Sequence, residues 1–247
     1  MSNNNSGLTV AILPAAGMGT RMGAESPKQF RLLDGVPVVI FTLRRLAACG
    51  AIDQFLIATR AEEVESLSQR VAAERLDRPV RVIRGGETRQ ASVAKALAEI
   101  PDETEMVVVH DAVRPLVTVE QINRVIAEAR HNGAAILGIP AMDTVKEVKR
   151  TSLPVDVALI TDTIPRERVV LAQTPQVFKT SLIVEAFARA AADGATASDE
   201  AGLVERLGYP VHVVLGSERN LKVTKPGDLE LAEFYLSRER DLQEITK

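Results

Sequence analysis

Apolar residues in this chain gather into short blocks separated by longer stretches of mixed polarity. Near-continuous hydrophobic runs at Leu8–Leu13, Gln54–Ala58, Val80–Ile83, Met106–His110, Ala134–Ile139 and Val211–Leu215 fit strands covered on both faces. Helical patterns lie between and after them, around Pro37–Cys49, Ala61–Leu76, Thr88–Ile100, Val119–His131, Leu182–Ala192 and Asp228–Arg240. This alternation predicts an α/β fold, a single Rossmann-like domain with a mostly parallel sheet and helices on both faces. Ligands of such sheets bind beyond the carboxyl ends of the strands, so the residues just after each apolar run are the first to inspect.

From Ala141 to Ile164 the pattern changes to two short alternating runs separated by a polar turn containing Pro154. That reads as a β-hairpin arm inserted into the α/β frame, suited to covering a site or joining a partner. The expected organisation is a disordered polar tail over 1–7 and one domain over 8–247, with the arm at about 141–164.

Composition narrows the function classes. With 247 residues and 46% hydrophobic content the chain can bury a sizeable core. Thirty basic against 33 acidic residues leave a net charge of −3, so no general attraction to nucleic acid or a membrane surface is expected. An anionic ligand must then be held by local cations. Cys49 is the single cysteine, which excludes an intramolecular disulfide and a cysteine-clustered zinc site and leaves helix packing as its expected role. The opening MSNNNSG lacks the basic start and apolar core of a secretory signal, and no uninterrupted apolar run reaches membrane length, so a cytoplasmic protein is expected.

The candidate chemistry begins where the first apolar run ends, at Pro14-Ala15-Ala16-Gly17-Met18-Gly19-Thr20-Arg21, with Pro27-Lys28-Gln29 further along. A dinucleotide fingerprint fails here, because Met22 stands where its third glycine is required, and a Walker loop fails for want of Gly-Lys-Ser/Thr. Small residues still let the backbone approach a base and phosphates, while Arg21 offers a planar fork and Lys28 a point charge. The residues thus point to a nucleotide triphosphate; solvated loop charges are the bland alternative. His110, His131 and His212 show no metal-ligand spacing and are expected to be structural or superficial.

The AAGMGTRM run with its later PKQ resembles the signature loop of the sugar-phosphate nucleotidyltransferases. Gly85–Val93 (GGETRQASV), His110–Pro115 (HDAVRP), Asp143–Lys146 (DTVK), Gln173–Gln176 (QTPQ), Ser198–Ala201 (SDEA) and Asn220–Thr224 (NLKVT) narrow the resemblance. Together, in this order, they are similar to the cytidylyltransferases that act on 2-C-methyl-D-erythritol 4-phosphate in isoprenoid precursor synthesis.

The resemblance implies transfer of CMP from CTP to a polyol phosphate with release of pyrophosphate. The nucleophile is already anionic, so neutralisation and alignment outweigh any need for a strong base. By matching positions, Arg21, Lys28 and Lys222 are implied as catalytic cations and Asp111 as the Mg²⁺ ligand, although an aspartate after a strand can also cap the next segment. Pro14, Ala15, Ala16, Gly17, Gly19, Gly86, Glu87, Ser92, Asp111 and Ala112 are implied to bind the nucleotide. Glu87 stands where the family commonly has aspartate. Arg89 could be another phosphate ligand, but is read as an ion-paired arginine that braces the turn. Arg114, Thr144, Arg166 and Thr174 are implied to meet the acceptor, with the arm carried across a homodimer to complete the neighbour's pocket. Pro165 before Arg166 departs from the family's usual wording and restricts how that side chain approaches. A ribitol 5-phosphate cytidylyltransferase and a non-catalytic nucleotide-binding module are the competing readings.

Overall fold

A computed structural model describes residues 7–17, 27–149 and 158–245 of the chain. Arg21, Gly19, residues 1–6 and the Pro154 turn of the arm lie outside the described residues. In chain order the elements are β1 (Leu8–Pro14), β2 (Leu32–Leu33), β3 (Val36–Pro37), α1 (Val38–Ala47), β4 (Gln54–Thr59), α2 (Val64–Ala73), β5 (Val80–Arg84), α3 (Arg89–Leu97), β6 (Thr104–Val109), α4 (Val119–Asn132) and β7 (Ala134–Pro140). They continue with β8 (Val145–Lys149), β9 (Leu159–Ile164), β10 (Val170–Lys179), α5 (Thr180–Ala192), α6 (Glu200–Arg206), β11 (His212–Leu215) and α7 (Pro226–Ile245).

Seven strands form one sheet in the order β11-β7-β10-β6-β1-β4-β5. All neighbours pair in parallel except β10, which runs antiparallel between β6 and β7. The six predicted strands are all present, and the mostly parallel α/β sheet is as expected. Besides the two-residue strands β2 and β3, which pair only with each other, two elements were not foreseen, β10 and the seven-residue α6. Gln173, Thr174, Pro175 and Gln176 interrupt the apolar character of β10, and Pro175 removes a ladder donor. Its pairing with β7 shifts register between Ala172 and Gln176, which accommodates that stretch.

Strand periodicity sorts the core into two layers. Ala11, Leu13, Met106 and Val108 pack on one face against Leu43 and Leu46 of α1 and Ile122 and Val125 of α4. Their chain neighbours Val10, Ile12, Val107 and Val109 pack on the other face with Val93 of α3, Phe187 of α5 and Val204 of α6. Double coverage explains why these runs carry no polar alternation. Each fully buried large apolar side chain contributes about 1.5–3 kcal/mol, so the strands are fixed mainly by this packing. Cys49 belongs to the first layer, its thiol donating to Asn123 Oδ1 at 3.2 Å, the packing role expected.

Helix ends follow local chemistry. Thr118 and Gln121 form a reciprocal capping box at the start of α4, and Gly133 ends it at φ +94°, where a side chain would be strained. A third apolar cluster, including Val113, Leu116, Val223 and Leu236, lies beneath α7 and ties the 221–223 segment to the loop after β6. The arm is the expected two-stranded hairpin, β8 on β9, with Val145 opposite Ile164 and Lys146 opposite Thr163.

Candidate active site

The carboxyl ends of β1, β5 and β6 open onto one cavity of about 140 Å³. Pro14, Ala15, Ala16, Gly17, Lys28, Glu87, Ser92, Asp111, Ala112 and Lys222 all line it, joined by Arg89 and by Gln29, Thr88 and Val113, the last three not foreseen as ligands. Segments separated by almost the whole chain therefore meet in one place. A second cavity, of about 210 Å³, shares Arg89, Asp111 and Lys222 with the first and adds Arg114, Gln173, Thr174 and Asp199. Because β10 runs antiparallel to β6, with Gln176 opposite Val109, its early residue Thr174 is brought to the ligand-bearing edge.

Each wall has a local cause. Ala15 donates its amide to Ala58 O (2.7 Å), while the buried Gln29 donates Nε2 to Ala15 O (2.7 Å), fastening the exit of β1. At the second turn, Thr88 caps α3 by accepting from Ala91 N (3.0 Å), and Gly86 N donates to Ser92 Oγ (3.0 Å). A Cβ on Gly86 would lie 2.5 Å from that of Ala91, so the turn requires glycine there. Lys95 closes the turn from behind by donating to Gly85 O at 2.9 Å.

Asp111 is the electrostatic centre. Its Oδ1 accepts from Arg89 Nε (3.1 Å), and its Oδ2 faces Lys222 Nζ (2.9 Å) and Arg114 Nε (3.3 Å). Burial opposes ionisation of this carboxyl, but Arg89, Lys222 and Arg114 outweigh it and hold Asp111 well below the usual carboxylate range. Arg89 is ion-paired, as expected, but with partners across the site: it donates Nη1 to Glu200 Oε1 (2.7 Å) as well as Nε to Asp111. Sequence offered no signal for a pairing 111 residues apart. Arg114 also donates Nη1 to Asn220 O (2.7 Å), which fixes the start of the Lys222 segment.

His110 is scaffold, as expected for the histidines. Thr174 Oγ1 accepts from Asp111 N (3.0 Å), so its proton turns to His110 Nδ1 (3.0 Å), and His110 Nε2–H donates to Arg114 O (3.0 Å). Burial pushes this neutral imidazole down to about 4. An unfolded histidine titrates near 6.5, so unfolding takes up a proton between these values and stability falls as pH drops through that window, by about 3 kcal/mol in all. Urea titrations at pH 7 and 4.5 on the ligand-free protein check this: His110→Asn should flatten the acid loss by roughly that amount. An equally steep loss in both proteins contradicts it.

Thr144 and Arg166 are not brought to either cavity of their own chain. Arg166 donates instead to Met142 O (2.6 Å) at the base of the exposed arm and lies 3.7 Å from Glu167.

Comparison with known proteins bears directly on this arrangement. The profile of the 2-C-methyl-D-erythritol 4-phosphate cytidylyltransferase family matches residues 9–238. The chain belongs to that family. A protein of this name from Acidobacterium capsulatum is 52% identical over 231 residues, covering 91% of this chain and 95% of that protein. The crystal structure of the cytidylyltransferase from Thermus thermophilus is 34% identical with a TM-score of 0.71, covering 92% of this chain and 98% of its own. A 4-diphosphocytidyl-2C-methyl-D-erythritol synthase structure from Anaerococcus prevotii gives a TM-score of 0.80 at 28% identity, over 94% of this chain and all of that one. The cytidylyltransferase family fold therefore extends over nearly the whole chain. Among the described residues, no helix is long and apolar enough to cross a membrane.

Proposed function

We propose that the two cavities sharing Arg89, Asp111 and Lys222 are where CMP passes from CTP to 2-C-methyl-D-erythritol 4-phosphate, giving the cytidine diphosphate-linked product and pyrophosphate in isoprenoid precursor synthesis. This is the activity of the family to which the chain belongs. The observation that carries the placement is the Arg89–Asp111–Lys222 wall shared by both cavities. A group transferred across such a wall need not leave the protein.

In this reading the first cavity takes the nucleotide, with the β1 exit and the Gly86–Ser92 turn around the base and sugar. A phosphate oxygen of the acceptor attacks the α-phosphorus, and the bond to pyrophosphate breaks with its electron pair. Lys28 and Lys222 meet the charge that grows there, which is worth most in a preorganised, water-poor site. Lys222 is aimed by its ion pair with Asp111. Arg114 and Thr174, in the second cavity, hold the acceptor. Arg21 and Gly19 join the nucleotide set by the family resemblance. Bringing Lys28, Asp111 and Lys222 to one cavity argues against a module without turnover, and the family match does not favour ribitol 5-phosphate.

Magnesium is the proposed cofactor. Among the described residues there is no group of three or more His, Cys, Asp or Glu able to hold a metal, but Asp111 and Glu87 both line the cavity. One or two carboxylates plus substrate phosphates are a usual Mg²⁺ donor set, so these residues fit an ion that arrives with the triphosphate. When bound it would neutralise phosphate charge, with Asp111 as its protein ligand.

The arm is proposed to reach a second copy of the chain and deliver Thr144 and Arg166 to its pocket. In support, the arm and its base expose Met142 and Leu159 (each 68%) and Ile160 (55%), more apolar surface than a lone hairpin favours. The cytoplasm is the compartment we propose, given CTP as substrate and one buried reduced cysteine. Release of pyrophosphate from CTP, dependent on added acceptor, tests the activity.

A further inference from the structure

Glu200 lines neither cavity, yet it is more deeply buried than Asp111, at 1% against 5% exposure. Its position is enforced from the sheet. Gln176 of β10 donates Nε2 to Asp199 Oδ2 (2.7 Å) and accepts at Oε1 from Ala201 N (3.0 Å), while Asp199 Oδ1 caps α6 by accepting from Gly202 N (3.0 Å). Glu200 thus sits between two anchored residues, with Oε1 on Arg89. Its Oε2 is buried without a hydrogen-bond partner among the described residues. A half-satisfied buried carboxyl costs stability, so packing alone does not account for an acid at this position.

Arg89 supplies the account. It lines both cavities, and its guanidinium is a planar fork that can grip a phosphate in two places. With Nη1 on Glu200 and Nε on Asp111, two of its donors are committed to carboxylates on opposite sides. We propose that Glu200 is a positioning residue that tethers Arg89, keeping Asp111 aligned with Lys222 and keeping Arg89 from seizing a phosphate of either substrate in the ground state. Without the tether, Arg89 binds phosphate where binding does not help the reaction, and Asp111 loses the partner that fixes Oδ1. Turnover then falls without weaker CTP binding.

This rests on the proposed placement of the phosphates at the Asp111–Lys222 wall, so the experiment includes Lys222→Ala. Steady-state kinetics with CTP, Mg²⁺ and 2-C-methyl-D-erythritol 4-phosphate are measured for Glu200→Ala, Arg89→Lys and their double variant, per folded molecule. The expected result is a kcat about tenfold or more lower in each single variant, with no rise in KM for CTP. The double variant should be within about threefold of the worse single one, because the pair acts as one unit. A Glu200→Ala kcat within about threefold of the unsubstituted protein, a KM for CTP that rises with the loss, or losses that multiply in the double variant overturns the proposal. If Glu200→Ala does not fold, Glu200→Gln, which keeps the volume and one acceptor, takes its place under the same criteria. Full activity of Lys222→Ala refutes the placement of the phosphates itself; loss there with Glu200→Ala unaffected refutes only the tether.

Discussion

Replacing Lys28 by alanine is expected to lower kcat by about 10²–10³-fold while changing CTP affinity by less than about fivefold. Lys28 lines the proposed nucleotide cavity together with the Asp111–Lys222 pair. Attack makes the α-phosphorus pentacoordinate and spreads negative charge over its oxygens, so a cation beside that centre gains most in the transition state. Ground-state triphosphate is shared among several donors, and loss of one is partly covered by the rest. Equilibrium binding of CTP alongside single-turnover transfer separates the two quantities. Equal losses in both would show that Lys28 is an ordinary ligand.

Mixing two variants that are each impaired at a subsaturating concentration of the polyol phosphate should restore activity if sites are completed by a neighbour's arm. Arg166→Ala damages what the arm delivers, whereas Lys28→Ala damages the pocket that receives it. In a mixed dimer one pocket combines an intact Lys28 with the intact Arg166 of the other subunit. Random mixing makes about half of all dimers mixed, each with one whole site, so about a quarter of the unsubstituted activity is expected. Arg166→Ala alone should chiefly raise KM for the polyol phosphate, leaving CTP binding near normal. Activity no greater than the sum of the separate variants removes arm exchange from the account.

The legible parts of this protein were those governed by short-range patterning. Buried parallel strands announce themselves as apolar runs, and Pro14–Gly17, Gly86–Ser92 and Asp111–Ala112 come after such runs, where ligand-binding residues belong. Strand β10 was hidden for a physical reason. Gln173, Thr174 and Gln176 turn their polar groups to Asn220, Asp111 and α6 rather than to a uniform core, so the run has neither period. Helix α6 is short, and its opening acids serve a cap and an ion pair instead of a solvated first turn. The partners of Arg89 were not legible because they depend on how β6 and α6 meet, a property of tertiary packing. Thr144 and Arg166 were named only through family resemblance, and a single chain does not seat them in its own cavities.

The shared wall also separates stability from function. Breaking a buried ion pair by removing one partner commonly costs about 3–5 kcal/mol, whereas a well-packed apolar replacement of the whole set can be neutral. The Arg89–Asp111–Lys222–Arg114 cluster is therefore poorly explained as a device for holding the fold, which the two apolar layers already do. Its geometry is better explained by the charge that two phosphorylated substrates bring with them.

The most direct measurement is pyrophosphate release from CTP and Mg²⁺ with 2-C-methyl-D-erythritol 4-phosphate, with ribitol 5-phosphate, and with no acceptor, together with identification of the product. Stoichiometric release and a cytidine diphosphate-linked methylerythritol are expected with the first acceptor, and little or no turnover in the other two reactions. CTP bound without release in every reaction, or preferential transfer to ribitol 5-phosphate, would contradict the proposed function.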